Sequence, residues 1–164
     1  MKRFERLLVL CGLLGVAAPG WAATATTTFG VTGTVVPTCS IAAVPLSFGA
    51  TIPNPINSNV DAQSAVTATC SSGAAYTIGL STGGGAGATF ATRRMTSGPN
   101  QLQYTLYADA GRTTIWGNGT AGSILSNNAG TGTAQAIPVY GRIPSGQNVP
   151  TGTYSDTITV TITF

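Results

Sequence analysis

Few residues in this 164-residue chain could move a proton, ligate a metal or attack a substrate. There is no His, the side chain most used for acid–base work near neutral pH and for metal ligation. Asp61, Asp109 and Asp156 are far apart in sequence, and each sits in or beside a turn. Asp109 and Asp156 read as turn stabilisers, because an Asp carboxylate bonds the backbone of its own neighbourhood. No Gly-x-Ser-x-Gly elbow is present. "GGGAGA" at 83–88 has the glycine content of a phosphate loop, but it lacks the P-loop lysine and no helix follows, so it reads as a flexible loop. "NGT" at 118–120 matches a glycosylation triplet that arises easily by chance in a chain rich in Asn, Gly and Thr. Arg93 and Arg94 lie in a polar stretch and read as a solvated turn, with a ligand-binding pair as the alternative. Arg142 follows "PVYG" and is placed to meet a carboxylate. No catalytic residue, metal ligand or cofactor site is assigned, and an enzyme is not expected.

The chemistry that remains is sulfur chemistry, and its outcome depends on compartment. The N-terminus "MKRFERLLVLCGLLGVAAPGWAA" has a basic start (Lys2, Arg3, Arg6), an apolar stretch from Leu7 to Ala18, then Pro19 and small residues. Residues 1–22 are predicted to be a secretory signal peptide, cleaved after Ala22, with cleavage after Ala25 as the second choice. The apolar stretch is too short to span a bilayer, which disfavours a membrane anchor. Cys11 leaves with that segment, and Cys39 and Cys70 remain. An even pair in a secreted domain is expected to form one disulfide in preference to two free thiols. It would close a loop of 32 residues. The chain-entropy contribution of such a loop is roughly 3.5–4 kcal/mol.

Without residues 1–22 the chain keeps four arginines and three aspartates, a net charge of +1, and no Lys or Glu. The high sequence pI of 9.0 therefore belongs mostly to the leader. No basic stripe remains for nucleic acid. Charged residues are 7% of the whole chain, against about 25% in ordinary globular proteins. Apolar and β-branched residues are plentiful, so this is not a disorder signature.

Period-two runs recur and no helical periodicity does. Six strands are predicted, around 29–36, 64–70, 75–81, 101–108, 135–142 and 156–164. Their inward sets are Val66, Ala68 and Cys70; Tyr76, Ile78 and Leu80; Leu102, Tyr104 and Leu106; and Ile137 with Val139. Pro138 argues for an edge or a bulge in its strand. The ending "TYSDTITVTITF" alternates Ile158, Val160, Ile162 and Phe164 with threonines. An immunoglobulin-like sandwich wants about seven strands, so the prediction is an all-β, incomplete immunoglobulin-like β-sandwich whose final strand is missing. Such a sandwich leaves a groove that an extended, alternating peptide can fill by β-strand addition. "ATATTTFGVTGTVV", at residues 23–36, is such a peptide. Burying three or four of its large side chains could contribute on the order of 5–10 kcal/mol before ordering costs. The contact is head-to-tail and propagates as a fibre.

Several blocks carry a family likeness: "TCSIAAVPLSFG", "VTATCSSGAAYTIGLS", "QLQYTLYADAGRTTIWGNG" and "IPVYGRIPSGQNVPTGTYSDTITVTITF". Over residues 28–164 the sequence resembles the spore coat protein U domain family, which includes subunits of archaic (Csu-type) chaperone–usher pili. The resemblance implies export to the periplasm of a Gram-negative bacterium and folding on a pilus chaperone that lends a strand. It also implies strand exchange at an outer-membrane usher, and a surface pilus made of copies of this chain or related pilins. Adhesion and biofilm formation would follow. It matches Cys39 and Cys70 to the family disulfide. It places Phe29, Val31, Gly33 and Val35 in the donor strand, which merges into the first strand over 23–36. It places Ile158, Val160, Ile162 and Phe164 beside the acceptor groove of a pilin domain at 37–164. An extra receptor-binding domain, typical of tip subunits, is not expected, which favours a shaft or minor subunit. The competing expectation is a monomeric secreted adhesive or lectin-like domain that binds through loops 81–99 and 117–135.

Overall fold

Strand β1, Cys39–Ala43, is hydrogen-bonded along its length to β2, Val60–Cys70, and Cys39 lies directly opposite Cys70. The two form a disulfide, as expected. In this computed structural model residues 20–164 are described, so the expected leader lies almost wholly outside the described residues. The remaining strands are β3 Ala75–Leu80, β4 Arg93–Ser97, β5 Asn100–Tyr107, β6 Ser126–Ala129, β7 Ala134–Ile143 and β8 Val160–Thr163. All pairings between them are antiparallel. One sheet runs β1-β2-β7-β5-β4 and the other β6-β3-β8. There is no helix among the described residues. This is the two-sheet architecture of an incomplete immunoglobulin-like sandwich.

The core is built from the inward parity of these strands. Val66, Ala68 and Cys70, Tyr76, Ile78 and Leu80, and Leu102, Tyr104 and Leu106 are all buried, as the alternation predicts. Trp116 is fully buried between the sheets. Its backbone N–H donates to Leu106 O at 3.0 Å, and its indole Nε1–H donates to Ile78 O at 2.9 Å. Pro138 lies in a strand that has neighbours on both sides further along. Pairing with β5 covers only Tyr140–Arg142, however, so at Pro138 only β2 is alongside. The proline is locally at an edge, where its missing N–H is tolerated.

Two predicted strands differ, and two strands lie where loops are expected. Residues 29–36 form no strand; the first strand is β1, starting at Cys39. Among the described residues, 20–38 hold no helix or strand. A strand needs a partner for its backbone groups, and the alternation in 29–36 supplies side chains without one. Strands β4 (RRMTS) and β6 (SNNA) were not predicted, because neither has apolar alternation; pairing with β5 and β3 makes them strands. The last strand is shorter than 156–164. Ser155 instead bridges Thr96 of β4, so the chain crosses from one sheet to the other before β8 begins.

Charged side chains hold the periphery. Asp61 accepts from Arg142 Nε at 2.7 Å and Nη2 at 2.8 Å, and Arg112 Nε lies 3.3 Å from the same carboxylate. The Arg142 hydrogen bond holds the Asp61 carboxyl below its usual range. Asp109 holds its turn as expected. Its carboxylate accepts from Thr114 N at 2.6 Å, from Thr113 N at 3.1 Å and from Thr113 Oγ1 at 2.9 Å. These bonds, led by the Thr114 amide, lower its pKa from 3.8 to about 2. A depressed carboxylate pKa gives stability that is present above 3.8 and lost as pH falls through about 2. Asp109→Ala is therefore expected to lower the melting temperature at neutral pH, and the gap to wild type should close between those two pH values. A gap independent of pH would refute the assignment.

Candidate functional site: an open cleft between the sheets

The core is open between the connection that follows β1 and the segment that leads into β8. Two adjoining hollows open there, of about 480 and 550 Å³. Leu46, Phe48, Met95 and Tyr154 border both and make them one continuous cleft. The 480 Å³ part is floored by core residues Val66, Leu80, Tyr104, Leu106 and Val139. Its lining is almost entirely apolar or neutral, with Asp156 the one charged group.

One wall is the connection from Ala43 onward. Ser64 Oγ–H donates to Val44 O at 2.6 Å and Val44 N–H donates to Ala65 O at 3.0 Å, which fixes its start. Asn54 Nδ2–H donates to Val149 O at 2.7 Å, which fixes its far end. Between these ties Leu46 and Phe48 turn inward, and Phe48 meets Tyr104 edge-on with centroids 6.1 Å apart. They fit because β7 carries Gly141 beneath them. A Cβ there would lie 2.9 Å from Phe48 Cζ and 3.1 Å from both Leu46 methyls.

The other wall is the C-terminal segment. From Tyr154 to Ile162 the even residues are half-buried and the odd ones exposed. Ile158, Val160 and Ile162 pack against the core, while Phe164 is 55% exposed. Strand β8 pairs β3 on one side only, with Leu80 opposite Val160 and Ile78 opposite Ile162. Both backbone groups of Thr159 turn toward Ser81: Ser81 N–H donates to Thr159 O, and Thr159 N–H donates to Ser81 Oγ, each at 2.9 Å. In an antiparallel ladder a residue's N–H and C=O point the same way and alternate along the strand. Ile158, Val160 and Ile162 therefore direct their backbone groups to the free edge and their side chains to the core. Of the predicted groove residues, Ile158 and Val160 line the cleft, and Ile162 and Phe164 do not. The wall extends instead back to Tyr154.

The predicted donor residues lie in no strand. Phe29 and Val31 are 86% and 83% exposed and Val35 is 96% exposed, all outside regular structure, as is Gly33. Leu46, Phe48 and Tyr154 were missed. "VPLSFG" does alternate Val44, Leu46 and Phe48, but Pro45 interrupts the run and its partner strand is not visible in sequence.

Two polar readings are corrected. Arg93 is not in a solvated turn. It belongs to β4, is fully buried, and donates to Ser81 O at 2.9 Å, Phe90 O at 3.1 Å and Trp116 O at 2.7 Å. Nor is "GGGAGA" a free loop. Gly84 N–H donates to Asp156 Oδ1 at 2.8 Å, and Arg94 Nη1 and Gln101 Nε2 each donate to Ala86 O at 3.2 Å. Loops 81–99 and 117–135, taken as binding loops in the adhesive reading, contain β4 and β6.

The Spore Coat Protein U domain model matches residues 25–161. Protein U of Myxococcus xanthus is 40% identical over 161 residues, which is 90% of this chain and 89% of that protein. A similar solved structure is the CsuC–CsuE chaperone–tip adhesion subunit pre-assembly complex from archaic chaperone–usher Csu pili of Acinetobacter baumannii. The TM-score is 0.58 at 27% identity. The match covers 80% of this chain but 40% of the other, so this chain spans well under half of that neighbour.

Gly141→Val should displace Leu46 and Phe48 from their seat. Overpacking of this kind costs about 1–3 kcal/mol, and the expected readout is a lower urea midpoint with an unchanged m-value. A midpoint equal to wild type would show that the wall yields freely.

Proposed function

This chain belongs to the Spore Coat Protein U domain family, and on that premise we propose that it is a structural subunit of a surface pilus. The observation that carries the reading is the cleft. Its floor is the buried core, and Ile158 and Val160 present apolar side chains and unpaired backbone groups to the same opening. An incoming extended strand would satisfy both at once, since its inward side chains and its ladder bonds recur at the same two-residue spacing.

The strand is supplied in trans. A pilus chaperone fills the cleft in the periplasm, in keeping with the chaperone–subunit complex of the Csu neighbour. At an outer-membrane usher the N-terminal segment of the next subunit replaces it, with Phe29, Val31, Gly33 and Val35 facing inward. That segment is exposed and without partners of its own secondary structure, as a donor must be before transfer. The resulting fibre supports surface attachment and biofilm formation. Export through the predicted leader is part of this reading. No catalytic step is assigned.

Deleting residues 23–31 should abolish fibres seen by electron microscopy while leaving chaperone-bound monomer in the periplasm. Fibres of normal length from that variant would remove the donor-strand assignment. Val160→Asp places a charge on the cleft wall and should abolish co-purification with the chaperone; undiminished capture would count against the cleft as acceptor.

A further inference from the structure

A sandwich without one strand has a physical difficulty: its two sheets can close on the apolar gap and shut the groove. A set of polar side chains bears on this. Arg93 and Tyr104 are paired residues on β4 and β5 of the five-stranded sheet. Both are nearly or fully inaccessible, at 0% and 4% exposure. Arg93 reaches across the core to the carbonyl of Ser81, immediately after β3 of the other sheet, and to that of Trp116. Tyr104 Oη–H donates to Asp156 Oδ2 at 2.6 Å, in the segment that crosses between the sheets. Asp156 Oδ1 accepts from Gly84 N and Thr157 N, each at 2.8 Å. Ser81 and Thr159 then tie the same corner to the start of β8.

Resting on the acceptor reading above, we propose that Arg93, Tyr104 and Asp156 form a polar lock that sets the spacing of the two sheets at one end of the cleft and keeps the empty cleft open to an incoming strand. Tyr104 and Asp156 themselves line the cleft, so the lock is continuous with the acceptor wall. The guanidinium is planar and its donors point in set directions, so three carbonyl bonds fix both distance and angle. An apolar residue would fill the same volume without desolvating a charge, and buried ions are commonly replaceable by apolar packing at no loss of stability. Packing alone therefore does not account for an arginine here. Burial lowers the Arg93 pKa to about 10, which still leaves it charged near neutral pH. Gly83 completes the arrangement: it has φ of 87°, and a Cβ there would overlap the Asp156 carboxylate. Gly83 and Gly84 are thus a seat for Asp156. These three side chains are positioning residues, acting on the incoming strand through the shape of the cleft.

The test uses the full chain released from its chaperone, with a fluorescent peptide of residues 23–36 as donor. Tyr104→Phe, Asp156→Asn and Arg93→Met are compared with wild type. Tyr104→Phe removes one hydroxyl and keeps the ring in the core, so it serves if the arginine variant fails to fold. Loss of one hydrogen bond to a charged group should slow peptide uptake about tenfold or more. The melting temperature of the empty subunit should fall, while that of the peptide-filled subunit stays at the wild-type value, because the inserted strand then spaces the sheets. Equal losses in the two states, or unchanged uptake, would overturn the lock and leave the acceptor reading standing. Failure of wild type itself to take up the peptide would overturn both.

Discussion

The free edge of β8 is the constraint on which the molecule turns. Backbone N–H and C=O groups beside a buried core need partners, and here one row of them faces an apolar cleft. Side chains and backbone groups of the same residues are unsatisfied together. A short peptide with period-two apolar residues would resolve both deficits at once. An edge of this kind is also an aggregation hazard. The similar solved structure is of a subunit in complex with a chaperone.

Ties elsewhere in the chain hold the two walls of that cleft. The disulfide joins β1 to β2 at the far end of the strand that leads into the wall carrying Leu46 and Phe48. Asn54 and Ser64 pin the two ends of that wall, and Gly141 leaves room for it above β7. On the opposite side the chain bridges β4 at Ser155, turns at Asp156 and enters β8. Few charges are needed, and those present are used structurally. Asp61 gathers Arg112 and Arg142, Asp109 holds a turn, and Arg93 is spent on carbonyls.

Much of the fold was legible because burial and alternation are the same signal in a half-buried strand. The inward sets of β2, β3 and β5 follow directly from Val66–Cys70, Tyr76–Leu80 and Leu102–Leu106. The cleft was legible in part. Ile158 and Val160 follow from their period, whereas Leu46, Phe48 and Tyr154 lie outside the named strands, where a short alternation does not reveal what covers it. Arg93 misled for a related reason. An arginine in "ATRRMTSG" looks solvated, and its burial depends on three carbonyls contributed by residues 3 to 23 positions away.

By itself the sequence determined an all-β sandwich, its core-facing residues, the disulfide pair and an apolar alternation at each end, because these depend on composition and local period. Tertiary structure decided which alternating segments become strands. Residues 29–36 have the pattern but no partner, while "RRMTS" and "SNNA" lack the pattern and are strands through their neighbours. It also decided that two arginines and a glycine run are buried or pinned rather than free. Hydrogen-bond partners and enclosure are supplied by residues distant in the chain, and no local pattern records them.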